Sequence, residues 1–233
     1  MPELPDYLYF LTEGFADLNT QKPMITVVDY GAGNILSVTR ALEHVGATTI
    51  VTGDPKIVEQ AEKLLLPGVG AFGRAMDNLS QRDLIEPIRG HAASGRPFLG
   101  VCLGMQLMLN GSEEFGGHEG LGLIPGNVVS IPRTTSHGDP HKIPHIGWNT
   151  LLQPQPGRWK NTILDGIDKT IGMYFVHSFS AAPTNETDRL ADTDYNGQII
   201  SAAIQHENLT GLQCHPEKSG SVGLRVLKNF IDQ

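Results

Sequence analysis

A cysteine flanked by two glycines is the residue pattern in this chain that best fits nucleophilic chemistry. Residues 100–104 read GVCLG, after an apolar run and before helix-forming residues. A strand, a sharp turn and a helix in this order form a nucleophile elbow, in which a side chain on either glycine would clash. A helix N-terminus also favours a thiolate. We predict that Cys102 is a nucleophile, against the alternative of a small buried core residue.

A cysteine nucleophile needs a base and a third group that orients the base. Residues 214–218 read CHPEK and follow a short apolar strand. In an extended segment, the His-x-Glu spacing puts the Glu217 carboxylate on the same side as the His215 imidazole. Alone, this pair also fits a strand-end histidine with a solvated glutamate. Together with the elbow, it predicts a triad of Cys102, His215 and Glu217.

Three further histidines, His137, His141 and His145, are spaced four apart. On a helix this spacing would suggest a metal site. Glycine and proline residues between them exclude that helix, so we expect no metal there.

The composition limits the class of protein. The chain has 233 residues and a net charge of -8, without a basic run, which argues against nucleic-acid binding. Its two cysteines, Cys102 and Cys214, form no disulfide framework and fit a reducing compartment. We find no apolar stretch long enough to span a bilayer and no signal peptide, so we expect a cytoplasmic location.

The order of the elements predicts an α/β fold with a central, mostly parallel sheet flanked by helices. In the first half, strands are predicted at 24–28, 48–51, 64–66 and 97–101, alternating with helices at 35–45, at 54–61 and up to about 94. We expect Pro87 and Gly90 to interrupt the last of these. The second half predicts a few antiparallel strands: two around a turn within 121–131, a hairpin at 195–197, a strand at 210–214 and a closing helix at 222–231. Residues 1–22 read as an extension of unknown role, and 23–233 as one domain.

Residues 100–106 and 215–217 together resemble the triad-type, class I glutamine amidotransferase family. Further stretches resemble the glutaminase subunits of imidazole-glycerol-phosphate synthase within it. These stretches are residues 28–34, 66–70, 120–126, 143–149 and 174–178. The resemblance runs from about residue 25 to the C-terminus, and it implies a single α/β domain.

The resemblance implies a mechanism without a cofactor. Cys102 would attack the side-chain amide of glutamine, while His215, oriented by Glu217, would move the protons. The backbone N–H of Leu103 would stabilise the oxyanion.

Further residues would complete the glutamine site. The turn at Gly68 and Val69 would supply a second oxyanion donor; otherwise it simply ends a strand. Gln106 and Glu114 would hold the amino-acid end of glutamine, although both could be ordinary polar residues. Backbone from Ser178 and Phe179 would close the pocket, with Phe179 at a position where the family often has tyrosine.

The resemblance also implies a partner, a cyclase subunit with a (β/α)8-barrel fold that receives ammonia through an internal channel. The products would be imidazole glycerol phosphate and aminoimidazole carboxamide ribotide, made for histidine biosynthesis. Positions matching the partner-facing stretches are His145, Trp148, Asn149, Tyr174 and Lys218. Trp148 would be an exposed anchor, unless it fills the core.

Three alternatives remain at this point. The chain could supply ammonia to a different synthase of the same family. It could be a cysteine peptidase or hydrolase, although those usually lack the His-Pro-Glu order. It could also be an inactive interaction subunit, which the intact Cys102, His215 and Glu217 argue against.

Overall fold

The computed structural model describes residues 22–233, so the predicted N-terminal extension lies, apart from Lys22, outside the described residues. The strands are β1 (Met24–Val28), β2 (Thr48–Thr52), β3 (Lys63–Gly68), β4 (Phe98–Cys102), β5 (Gly111–Ser112), β6 (His118–Glu119), β7 (Gly126–Ser130), β8 (His145–Thr150), β9 (Gly172–His177), β10 (Phe179–Pro183), β11 (Arg189–Tyr195), β12 (Gln198–His206) and β13 (Leu209–Leu212). The helices are α1 (Ile35–His44), α2 (Pro55–Glu59), α3 (Phe72–Gln81), α4 (Ile85–Ala93), α5 (Leu103–Leu107) and α6 (Gly220–Ile231).

A seven-stranded sheet carries the architecture, with strand order β11-β12-β13-β4-β3-β1-β2. The five strands from β13 to β2 are parallel to their neighbours, whereas β12 and β11 are antiparallel additions at one edge. Two smaller sheets have the orders β10-β7-β5-β6 and β8-β9. The predicted α/β class, with a mostly parallel central sheet and some antiparallel strands, is confirmed.

The central sheet is buried on both faces because its side chains alternate between two cores. Ile25 and Val27 of β1 belong to one core, with α1 and α6, and Val28 belongs to the other, with α2 to α5. Strand β4 divides in the same way, with Leu99 on the first side and Phe98 on the second. This alternation follows from the two-residue period of a strand. It explains why these strands are apolar throughout.

Local interactions account for the ends of two predicted helices and for the predicted hairpin turn. Gly46 follows α1 with a φ of 101°, a conformation that favours glycine. The Asp54 carboxylate caps α2 by accepting from the backbone N–H of Lys56 at 2.8 Å. The β11–β12 hairpin turns at Asn196 and Gly197, which both have positive φ.

Two local predictions are wrong. Pro87 and Gly90 lie inside α4, and the helical region is interrupted earlier, at 82–84. Pro87 is tolerated because it occupies the first turn of α4, where a backbone N–H has no helical partner. Of residues 121–131, only β7 is a strand. The preceding segment instead satisfies the end of α5, with the N–H of Leu121 donating to the Leu107 carbonyl at 2.8 Å.

Among residues 22–233, no helix combines the length and the apolar character needed to cross a membrane.

Candidate active site

Cys102 is the last residue of β4 and immediately precedes α5. Its backbone has φ 54° and ψ −111°, which is strained for a residue with a side chain. Glycines on both sides make this turn possible. A Cβ on Gly104 would lie 1.8 Å from the Leu66 carbonyl oxygen of β3, and one on Gly100 would lie 2.8 Å from the Gly104 carbonyl. The predicted strand, turn and helix around Cys102 are therefore present, with both glycines at positions without room for a side chain.

The parallel register brings the ends of three strands together around Cys102. Gly68 at the end of β3 pairs with Cys102, and Leu212 at the end of β13 pairs with Val101. Ligand sites of open α/β sheets lie at this carboxyl edge of the strands. The chain continues from Leu212 to His215, and for this reason the histidine lies near the cysteine despite their separation in the sequence.

His215 and Glu217 form a buried ion-pair geometry. Nδ1 of His215 lies 2.8 Å from Oε1 of Glu217, and the two side chains are 2% and 1% exposed. The extended geometry expected for this pair is only partly right. His215 is extended, but Pro216–Lys218 forms a 3₁₀ turn, and the turn carries the carboxylate back to the imidazole.

Burial alone would lower the pKa of His215, but the Cys102 sulfur and the Glu217 carboxylate outweigh it and raise this pKa to about 9. Because Nδ1 faces Glu217, Nε2 is the atom free for chemistry. Nε2 has no hydrogen bond of good geometry to Cys102 or to any other described residue. The charge of the Cys102 sulfur nevertheless helps to raise the pKa of the ring. Catalytic hydrogen bonds are often long before substrate binds.

One cavity of about 400 Å³ joins most of the predicted site residues. Its lining includes Val69, Cys102, Leu103, Gln106, Glu114, Ser178, Phe179 and His215. Gly68, the remaining predicted oxyanion residue, lies next to it. A Cβ on Gly68 would lie 2.9 Å from the backbone nitrogen of Gly104, so this strand end packs directly against the start of α5.

Several polar atoms of the predicted glutamine site already have partners. Nε2 of Gln106 donates to the Phe179 carbonyl at 3.0 Å. That carbonyl oxygen also lies 2.8 Å from Nδ1 of His177, so both of its lone pairs are used. A Glu114 carboxylate oxygen accepts from the N–H of Phe72 at 2.6 Å. The Phe179 carbonyl therefore supports neighbouring side chains, and a ligand would have to use other atoms of this residue.

A surface next to the cavity contains three of the five predicted partner residues. Trp148 is 59% exposed, and its ring lies 5.8 Å from that of Tyr174. The Lys218 ammonium lies over the Tyr174 ring at 5.9 Å. Asn149 is half-buried and points to the other face of β8: its Oδ1 lies 2.8 Å from Nε2 of His145, and its Nδ2 donates to the Asp194 carbonyl at 2.8 Å. The alternative that Trp148 fills the core is wrong.

The fifth predicted partner residue, His145, lies on the same face of β8 as Asn149. It is fully buried, with Nδ1 3.0 Å from Nε2 of His177, and it stacks between Phe175 and Tyr195. The prediction that it contacts a partner is wrong for its side chain. The alternation of β8 explains this, because Trp148, three positions further on, faces the opposite side.

Two buried residues beside the site were not predicted. Gln213 lies between β13 and His215 and contacts Cys102. Tyr30 is fully buried, its hydroxyl has no hydrogen-bond partner among the described residues, and burial together with the charge of Cys102 raises its pKa. Gln213 could have been found, because it shares a strand face with His215. No local pattern marks Tyr30.

The comparison with known protein families decides the identity of the fold. The family described as "Glutamine amidotransferase class-I" matches residues 26–233. The chain belongs to this family.

Close relatives cover nearly the whole chain. Imidazole glycerol phosphate synthase subunit HisH 1 of Legionella pneumophila (strain Lens) is 52% identical over 208 residues, which are 89% of this chain and 98% of that protein. The HisH subunits of Syntrophotalea carbinolica and Methanothermobacter thermautotrophicus are 48% and 45% identical; the alignments cover 90% of this chain in both cases, and 100% and 98% of those proteins. The resemblance drawn from the motifs is confirmed.

Solved structures share the fold at low identity. PurLQS from Thermotoga maritima superposes with a TM-score of 0.66 at 20% identity, covering 91% of this chain and 99% of that one. A structure described as a glutamine amidotransferase superposes with a TM-score of 0.66 at 14% identity, covering 89% and 99%. These two similarities concern the fold alone.

Proposed function

We propose that this protein hydrolyses L-glutamine to L-glutamate and ammonia at Cys102 and passes the ammonia to a cyclase subunit. The observation that carries this proposal is that Cys102 and His215 line one cavity, with the Glu217 carboxylate 2.8 Å from Nδ1 of His215. Membership of the class I glutamine amidotransferase family supports the choice of glutamine as substrate.

The first step is attack by the Cys102 sulfur on the side-chain amide carbon of glutamine. With its pKa raised to about 9, His215 holds a proton at neutral pH, which leaves an imidazolium beside the sulfur. As the tetrahedral intermediate collapses, His215 gives this proton to the departing nitrogen, and ammonia leaves behind a thioester. His215 then takes a proton from water, which attacks the thioester and releases glutamate. Glu217 holds the imidazole in the required tautomer.

The oxyanion that forms during both steps needs donors close to Cys102. We assign this role to the backbone N–H of Leu103 and to the turn at Gly68 and Val69, because both lie at the edge of the cavity next to the sulfur.

For the amino-acid end of glutamine, Glu114 supplies a negative charge that suits the α-ammonium. Gln106 contributes through its Oε1, since Nε2 is occupied by its neighbours. Ser178 and Phe179 line the same cavity.

The surface formed by Trp148, Tyr174 and Lys218 is proposed to bind the cyclase. It is joined directly to the site, because the N–H of His215 donates to the Tyr174 carbonyl at 2.9 Å. We propose that ammonia released beside His215 leaves toward a partner on this face. The relatives are named as subunits of imidazole glycerol phosphate synthase. This favours the cyclase of that synthase, a (β/α)8 barrel, as the partner.

The test is to purify the full chain with the candidate cyclase and to measure product formation from either glutamine or ammonium salt. Cys102→Ala is expected to abolish glutamine-dependent synthesis and to leave ammonium-dependent synthesis intact. Cys214→Ala is the matched control, since Cys214 is a buried thiol that does not line the cavity. Glutamine-driven product from Cys102→Ala would contradict the proposal. Acceleration of glutaminase turnover by a different synthase would assign the chain to that system instead.

A further inference from the structure

Gln213 is a buried side chain at the nucleophile to which the mechanism above gives no role. It follows β13 directly and is fully buried. Because Leu212 of β13 pairs with Val101 of β4, the next position in the register places Gln213 beside Cys102. The Gln213 Nε2 lies 3.6 Å from the Cys102 Sγ, within hydrogen-bond distance of a sulfur.

The direction of the Gln213 amide follows from a backbone carbonyl. The Phe179 carbonyl oxygen can only accept, so Gln106 must turn its Nε2 toward it. That Nε2 also donates to Oε1 of Gln213 at 2.9 Å. With its oxygen facing Gln106, Gln213 has to present its NH₂ group to the sulfur.

We propose that Gln213 is a positioning residue that donates a hydrogen bond to the Cys102 sulfur and thereby stabilises the thiolate. A donor at a sulfur favours its charged form over the neutral thiol and opposes the effect of burial. The same amide holds Gln106, because it accepts one of the two hydrogens on the Gln106 nitrogen. Only the Gln106 oxygen then remains for a ligand. The inference rests on the proposed function, since it concerns the same nucleophile.

A pH profile separates this role from simple filling of the core. The rate at which iodoacetamide alkylates Cys102 in the full chain follows the thiolate fraction, and peptide mapping distinguishes it from alkylation of Cys214. Gln213→Met keeps the length of the side chain and removes the donor. We expect the midpoint of the alkylation profile of this variant to rise by about one pH unit. At pH values below the midpoints of the variant and the unsubstituted chain, this shift means about tenfold less thiolate in the variant.

Gln213→Glu provides a second variant. It keeps an acceptor for Gln106 but puts a carboxylate beside the sulfur, so we expect the midpoint to rise further. Gln205→Met, on the neighbouring strand β12 and outside the cavity lining, is the matched control and should keep the midpoint of the unsubstituted chain. An unchanged midpoint in either folded Gln213 variant would overturn the inference.

The unsubstituted chain supplies a measurement that does not depend on folding of the variants. The side-chain amide resonances of Gln213 should shift with pH at the midpoint of Cys102 alkylation, and Cys102→Ala should remove that shift. Amide resonances that do not respond to the thiol would reject the hydrogen bond. Alkylation does not require glutamine. A chain that lacks glutaminase activity but shows the Gln213 effect would refute the proposed function and retain the inference.

Discussion

Nδ1 of His215 donates to the Glu217 carboxylate across 2.8 Å, and both side chains are almost completely buried. The second oxygen of this carboxylate, Oε2, is buried without a hydrogen-bond partner among the described residues. His215 is therefore the main neighbour that compensates the charge of Glu217. Breaking such a pair leaves a buried group unpaired, so the pair has consequences for stability as well as for chemistry.

Replacing Glu217 by glutamine tests the chemical role. Glu217→Gln removes the charge but keeps the size of the side chain, so the pKa of His215 should fall and its orientation should loosen. We expect glutamine-dependent turnover with the cyclase to drop by about 100-fold or more, as is usual when acid–base catalysis is impaired. Glutamate release in a steady-state assay measures this.

The matched control is Glu86→Gln, which neutralises an exposed carboxylate paired with Arg89. Exposed pairs of this kind contribute little. If Glu217→Gln and Glu86→Gln kept the same turnover, Glu217 would not be part of the catalytic group.

The raised pKa of His215 also predicts how stability depends on pH. The unfolded histidine loses its proton near its ordinary pKa of 6.5, whereas the folded one holds it to about 9. The stabilisation is therefore complete below pH 6.5 and is lost as the pH rises toward 9. Urea unfolding at a series of pH values should show this decline. The decline should be smaller in Glu217→Gln, and equal slopes for the two proteins would contradict it.

Much of the site can be predicted from the sequence because its residues belong to short motifs at the ends of strands. The elbow at Cys102 is marked by its own glycines, and the His-x-Glu motif is a local signal as well. What the sequence cannot supply is the order of the strands. The proximity of Cys102 and His215 depends on β13 pairing with β4, although these strands are far apart in the chain.

The wrong predictions and the missed contact of Gln213 also depend on how distant parts of the chain are arranged. His145 belongs to a stretch that resembles a partner-facing one, but its exposure depends on which face of β8 the rest of the chain covers. The contact of Gln213 with the sulfur depends on register, and its direction depends on the Phe179 carbonyl. A proline is tolerated only in the first turn of a helix, and the sequence does not show that α4 begins at Ile85. The prediction that Pro87 interrupts the helix is wrong for this reason.

A histidine away from the site predicts acid sensitivity. His91 is fully buried on α4, and burial is the main reason why its pKa falls to about 4. As the pH falls below 6.5, the unfolded chain binds a proton at this residue and the folded chain does not, so stability is lost until about pH 4. His91→Gln should reduce this acid-side loss in unfolding measurements, with the exposed His44→Gln as the comparison. A loss identical to that of the unsubstituted chain would show that His91 does not contribute.

The close contact at Gly104 predicts a large effect of one methyl group. Gly104→Ala would put a Cβ 1.8 Å from the Leu66 carbonyl, and backbone atoms cannot move aside cheaply. We expect the free energy of unfolding to fall by about 3 kcal/mol or more, as in severe overpacking. Gly90→Ala is the control, because its Cβ would meet only the flexible Glu59 side chain, whose nearest atom, Oε1, lies 3.0 Å away. Its effect should stay within about 1 kcal/mol. Equal stabilities of the two variants in denaturant titrations would show that α5 can shift away from β3.

The exposed Trp148 predicts an effect on association that is separate from folding. Its ring is 59% exposed and lies beside Tyr174, so truncation should remove contact area for a partner without opening a cavity in the core. We expect Trp148→Ala to weaken binding of the cyclase by about tenfold or more, as for aromatic anchors at interfaces, while the thermal unfolding midpoint changes little. Titration calorimetry with the cyclase measures this affinity.

Ile199→Ala is the control for Trp148→Ala. It removes an apolar side chain of similar exposure, 54%, on β12, and should leave the affinity unchanged. Because β8 and β9 carry no residue of the proposed triad, glutaminase activity driven by a saturating concentration of cyclase should persist in Trp148→Ala. If affinity fell equally in both variants, the partner would bind over a different or much wider face of the molecule.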